Sequence, residues 1–175
     1  MTVWTVTPDK DDSRRGRLTG PMFDAPCALG KHGVIVMDRG REGDGKTPAG
    51  TYPLRKVFYR PDREEPPVTD LPTEALTPTH GWCDDVDSPH YNQLVRLPFG
   101  PSHEKMWRED ALYDLVVVLG HNDDPPVKGL GSAIFLHVAK DGFKPTLGCV
   151  AVEKSALRRF LRQISVQDSI KITMG

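Results

Sequence analysis

The sequence predicts a mainly β domain with one C-terminal helix, and three observations support that expectation. Apolar residues fall in short runs and two-residue alternations, as in "TVWTVT" and "LVVVL". Sixteen Pro and sixteen Gly in 175 residues break the chain too often for a helical bundle. One segment near the end, "EKSALRRFLRQI", repeats its apolar residues at helical spacing instead. A chain of this length is expected to form a single domain over residues 1–175, with a core that needs neither disulfides nor metals.

Taken in order, Val3, Trp4 and Val6 alternate with threonines and read as a first strand. "CALGKHGVIV" follows, with glycines flanking Lys31-His32, and reads as a hairpin into a strand at Val34–Met37. Residues 38–54 read as a long turn, since the glycines and Pro48 break any helix, leading into a short strand around Thr51–Phe58. Residues 60–110 hold eight of the sixteen prolines and little periodicity. So long an irregular stretch is expected to be a functional, lid-like insertion with short turns at "GWCDD" and a small helix near Glu104–Tyr113. "YDLVVVLGHN" and "SAIFLHV" are rich in Val, Ile and Phe and read as buried central strands. In the helix, Leu157, Phe160, Leu161 and Ile164 share one face, while Arg158, Arg159 and Arg162 form a solvated opposite face. "DSIKITM" reads as a closing strand.

Charge excludes some partners. With 23 Lys+Arg against 24 Asp+Glu, the net charge of −1 gives no electrostatic footprint for nucleic acid or an anionic membrane. The apolar runs fall far short of the roughly 18 residues that insertion across a bilayer requires. The N-terminal "MTVWTVTPDKDDSRR" lacks the apolar core of about 7–15 residues that marks a signal peptide, so a cytoplasmic location stays open. Cys27, Cys83 and Cys149 are odd in number and contain no C-x-x-C, which argues against a zinc knuckle, a thioredoxin motif or a disulfide framework.

The candidate chemistry lies in "IFLHVAKDGFKPTLGCVAV" (134–152). His137 ends an apolar strand, and Cys149 follows Gly148 after a short loop. The two can return to the same end of a sheet, as a thiol–imidazole pair requires. Gly148 carries no Cβ, so backbone can approach a bound carbonyl, and the N–H groups of Gly148 and Cys149 are candidate oxyanion donors. A free thiol at pKa ~8.5 is about 3% ionised at pH 7, and lowering the pKa by ~2 raises that to about 75%. The matching loss of nucleophilicity leaves a net gain of only about threefold. His137 is therefore expected to act mainly as a positioned acid/base, with its other nitrogen oriented by a group such as a backbone carbonyl.

Other constellations fare worse. His121, Asp123, His137 and Cys149 show no recognised ligand spacing, so no metal or other cofactor is assigned. Asp84-Asp85 and Asp123-Asp124 read as solvated turns rather than a carboxylate dyad. "GREGDGKT" (40–47) matches the phosphate-loop pattern formally, but Pro48 and Gly50 forbid the helix that must follow.

On "EGDGKTPAGTYPL", "SAIFLHV" and "TLGCVAV", followed by a helix and a last strand, the chain resembles the L,D-transpeptidase catalytic domain (YkuD-like) family. "GWCDD…YN" and "LGHNDD" are similar to a bacterial branch with a longer insertion before the central strands. The resemblance implies a β-sandwich or mixed sheet, Cys149 as nucleophile, His137 as its base, and Gly148 at the oxyanion. It further implies that His121, Asn122 and Thr146 face substrate. Three features depart from the family pattern: eight residues between His137 and Thr146, Leu147 where many members carry His, and Ala151 where many carry Arg or Asn. The expected activity is acyl transfer through a thioester on peptidoglycan stem peptides, by a monomer in the periplasm or cell envelope. Hydrolysis at the same site (an L,D-carboxypeptidase) and a non-catalytic peptidoglycan-binding domain are the alternatives.

Overall fold

In the computed structural model, which describes residues 1–175, thirteen strands and one α-helix follow the chain. The strands are β1 (Val3–Pro8), β2 (Arg15–Gly20), β3 (Phe23–Ala28), β4 (Val34–Val36), β5 (Thr47–Tyr59), β6 (Thr73–Ala75) and β7 (His80–Cys83). They continue as β8 (Leu94–Arg96), β9 (His103–Lys105), β10 (Leu115–Leu119), β11 (Phe135–Val138), β12 (Val150–Val152) and, after α1 (Lys154–Gln163), β13 (Ser169–Ile172). The protein is mainly β, with a barrel-like β-sandwich at its centre.

Eight strands pair in the order β10-β11-β12-β3-β2-β1-β13-β5, and β5 pairs again with β10 to close the ring. Length makes the closure possible: β5 runs for 13 residues, pairing with β13 over Gly50–Pro53 and with β10 over Leu54–Tyr59. Each strand alternates its side chains across the wall. Leu115, Val117 and Leu119 of β10, Leu136 and Val138 of β11, and Val150 and Val152 of β12 point into the main core. Helix α1 sends Leu157, Phe160, Leu161 and Ile164 into the same core, where Phe160 meets the Trp4 ring edge-on at 4.9 Å. On its opposite face Arg159 and Arg162 are exposed, as the sequence suggests, and Arg158 is half-buried. Arg158 pairs with Glu64 at 2.7 Å, and Arg159 lies over the Phe23 ring. No helix is long and apolar enough to cross a membrane.

The Pro-rich stretch departs most from expectation. Instead of turns and a small helix, it forms an antiparallel sheet in the order β8-β7-β9, with "GWC" inside β7. No helix forms at Glu104–Tyr113, because His103–Lys105 pairs with β7 and Met106 is drawn into an apolar layer. That layer is a second core. Leu76, Trp82, Met106 and Tyr113 pack against Phe58, Val116, Val118 and Phe135, the outward residues of the barrel wall. Two other expectations are adjusted. The strand expected at Thr51 begins at Thr47, where β4 adds in parallel, and β2 and β3 form a hairpin that the sequence did not signal.

Candidate active site

The alternation that buries Leu136 and Val138 inside the barrel turns Phe135 and His137 outward. Strand β12 runs parallel with Leu136 opposite Val150 and His137 opposite Ala151, so Cys149 stands opposite Phe135 on the same outer face. Strand geometry puts the Cα atoms of this diagonal His137–Cys149 pair about 8 Å apart, within reach of two side chains leaning together. Both residues line one cavity of about 620 Å³, walled by residues 40–44, by Lys46 and Pro48, by Asp84, Glu104 and Arg108 from the Pro-rich stretch, and by the Lys144–Leu147 loop.

Each side chain is held from more than one direction. The His137 Nδ1–H donates to the Val138 carbonyl at 2.8 Å, which fixes the tautomer and leaves Nε2 as an acceptor. The Tyr113 ring meets His137 edge-on at 5.4 Å, and its hydroxyl donates to Glu104. The half-buried Cys149 thiol donates to the Ala133 carbonyl at 3.2 Å and accepts the Phe135 N–H at 3.4 Å. Burial pushes the thiol up to about 12, with the Glu104 carboxylate adding to the rise. Burial also pushes His137 down to about 4. The resting pair is thus a neutral thiol beside a neutral imidazole. Both shifts oppose moving the proton before attack and favour a transfer that accompanies S–C bond formation, where a stabilised oxyanion can offset it.

The turn before the cysteine explains two of the motif positions. Gly148 has φ +141°, and a Cβ there would stand 2.9 Å from the Lys46 carbonyl. Its N–H donates to Thr146 Oγ1 at 3.0 Å, while the Thr146 hydroxyl donates to the Cys149 carbonyl at 2.7 Å. The Gly148 N–H expected to face the oxyanion is therefore committed to the turn. The Cys149 N–H makes no hydrogen bond within the protein. Thr146 lines the cavity, but its hydroxyl braces the turn.

The remaining candidates separate. Asn122 lies outside the cavity that holds Cys149 and His137, and its amide braces its own loop through Val127 and Gly131. His121 lines the cavity with both ring nitrogens unpaired. Its ring meets Tyr52 edge-on at 5.4 Å, and burial holds it down at about 4. His121, Asp123, His137 and Cys149 do not gather as a metal-ligand set. Sequence reasoning missed Asn92, which is buried with φ +56°. Its Oδ1 accepts from Trp82 Nε1 and Ala133 N–H, both at 3.0 Å, and its Nδ2 donates to the His121 and Asn122 carbonyls at 3.0 and 2.7 Å. Through Ala133 it joins the β8-β7-β9 sheet to the carbonyl that receives the thiol. The "YN" pair in the quoted motif was its only trace in the sequence.

The family model for YkuD, the L,D-transpeptidase catalytic domain, matches residues 6–172. The chain belongs to that family. No curated protein and no solved structure matches it. YkuD domains are generally enzymes that act on peptidoglycan peptides. The YkuD match runs from β1 to the last residue of β13, so the β8-β7-β9 sheet lies within the matched span, and its Glu104 lines the cavity.

Proposed function

We propose that the protein is an L,D-transpeptidase that uses Cys149 as nucleophile and His137 as acid/base on peptidoglycan stem peptides. The thiol sulfur attacks the amide carbonyl preceding a terminal D-residue as its proton passes to His137 Nε2. The collapsing adduct expels the amine, which takes that proton, and leaves an acyl thioester on Cys149. A second amine then accepts the acyl group; if water takes its place, the outcome is hydrolysis. Such a substrate implies work in the cell envelope.

One observation supports this reading above the others. The outer face of β11 and β12 brings Cys149 and His137 to one cavity, with Nδ1 already tied to Val138 and Nε2 left over. The test is intact-protein mass after incubation with a carbapenem, followed by product analysis with a stem tetrapeptide. Wild type gains one drug equivalent, Cys149→Ala gains none, and His137→Gln gains it at least a hundredfold more slowly. A folded wild type that stays unmodified and turns over no tetrapeptide overturns the proposal.

A further inference from the structure

Two backbone groups hold the Cys149 sulfur, and they are not equally secure. The Phe135 N–H, at 3.4 Å, belongs to β11 and sits in its ladder opposite Val118. The Ala133 carbonyl, at 3.2 Å, lies two residues earlier, before the strand begins. Ala133 has φ +54°, in the left-handed region that residues carrying a Cβ rarely occupy. A conformation of that kind persists only where the surroundings impose it.

The surroundings here are three side chains. The Ala133 N–H donates to Asn92 Oδ1 at 3.0 Å. Asn92 is 5% exposed and uses its amide to capacity, with two bonds accepted at Oδ1 and two donated from Nδ2. The neighbouring Tyr91 hydroxyl accepts the Gly131 N–H at 3.0 Å and donates to Glu42 Oε2 at 2.6 Å. Glu42 Oε1 accepts the Ser132 hydroxyl at 3.0 Å, and the Glu42 N–H donates to the Gly129 carbonyl at 2.8 Å. The strap Gly129–Ala133 is thus tied at four of its five residues to one node. None of the three node residues lies in a strand, so the node closes no barrel seam. Glu42, Ser132 and Ala133 do line the cavity that holds Cys149 and His137.

We propose that Glu42, Tyr91 and Asn92 are positioning residues for acyl transfer: they hold the strap so that the Ala133 carbonyl, together with the Phe135 N–H, aims the Cys149 sulfur. The inference rests on the reading of Cys149 as nucleophile. Attack needs sulfur, His137 Nε2 and the substrate carbonyl aligned to within about 0.5 Å. A sulfur that has lost one of its two anchors turns among its staggered rotamers and spends less time in line. The loss then falls on the chemical step and not on substrate binding.

The experiment separates aim from reactivity in the whole chain. Carbapenem acylation, followed by mass at several drug concentrations, gives a limiting rate and a half-saturating concentration. Iodoacetamide at pH 9 reports a reachable thiol without requiring alignment with His137. The limiting rate should fall at least tenfold in Asn92→Ala and at least threefold in Tyr91→Phe and Glu42→Ala. Half-saturation should stay within twofold of wild type, and alkylation should be no slower. Glu42→Gln can still accept from Tyr91 and donate to Ser132, so it should acylate within twofold of wild type. Adding Ala133→Gly to Asn92→Ala should recover at least threefold, because glycine takes the same φ without strain. Tyr91→Phe and Glu42→Ala carry the test if Asn92→Ala does not fold. A limiting rate equal to wild type in those two, with only the melting temperature lowered, would reduce the node to a brace and overturn the inference. A raised half-saturating concentration alone, or acylation and alkylation slowed equally, would overturn it too, and each of these results leaves Cys149 as nucleophile. Wild type that is alkylated at Cys149 but neither acylated nor active on a stem tetrapeptide would overturn both readings.

Discussion

Cys149 at about 12 and His137 at about 4 form a pair whose resting state is neutral, and that state has measurable consequences. Alkylation of Cys149 by iodoacetamide, followed by mass, should rise steadily through pH 9; a rate plateau below pH 7 would show a preformed thiolate–imidazolium pair and contradict this electrostatics. Stability should respond to pH as well. His121 and His137 are both held at about 4 in the fold, against about 6.5 in an unfolded chain. Between those values the unfolded state binds more protons, so stability is full above about 6.5 and falls as pH drops towards 4. The loss by pH 4.5 is on the order of 2–3 kcal/mol per ring, read from urea midpoints. Glu42 and Glu104, pushed up by burial, oppose the trend, so the cleaner readout is a shallower slope in His137→Asn. A slope equal to wild type would sink the assignment. The candidates Cys149 and His137 were legible in the sequence because each lies at or beside a short apolar strand, and Thr146 was legible as a cavity residue but not as the brace of its turn. Asn92 was not, because its hydrogen-bond partners lie up to 41 residues away.

The segment that matters most between strands is the Thr146–Cys149 turn. Gly148→Ala puts a Cβ against the Lys46 carbonyl in a left-handed conformation that side chains avoid, a strain of about 1–3 kcal/mol. The expected outcome is a lower melting temperature and acylation slowed at least tenfold, because the strain falls on the residue that aims the thiol. Thr146→Val removes both hydrogen bonds of the turn and should cost about 1–2 kcal/mol while leaving the thiol reactive. Complete loss of labelling in that variant would assign Thr146 a chemical part instead. Strands with strong alternation or continuous apolar runs, β1, β10 and β11, could be read directly. The β2–β3 hairpin could not, because "RGRLTG" and "FDAPCA" mix Arg, Gly and Pro into their alternation and look like turn. Strands of three residues, such as β8 and β9, are shorter than any periodicity can register.

At the scale of the whole molecule, the β8-β7-β9 sheet is a packed structural layer on the barrel wall. Trp82 meets Phe135 edge-on at 5.0 Å, two residues before His137. Trp82→Ala should therefore cost about 3–5 kcal/mol in urea denaturation and slow drug acylation together. Stability lost with acylation unchanged would mean that the layer only covers the wall. Replacing residues 77–106 with a short Gly-Ser linker should leave Phe58, Val116 and Phe135 bare and give aggregated protein; a soluble, acylable product would show that the barrel is self-sufficient. The barrel also closes through a parallel pairing of β1 with β13, with Val3 beside Ser169 and Val6 beside Ile172. A nascent chain cannot make that seam until β13 has left the ribosome, so the barrel stays unzipped until that strand emerges.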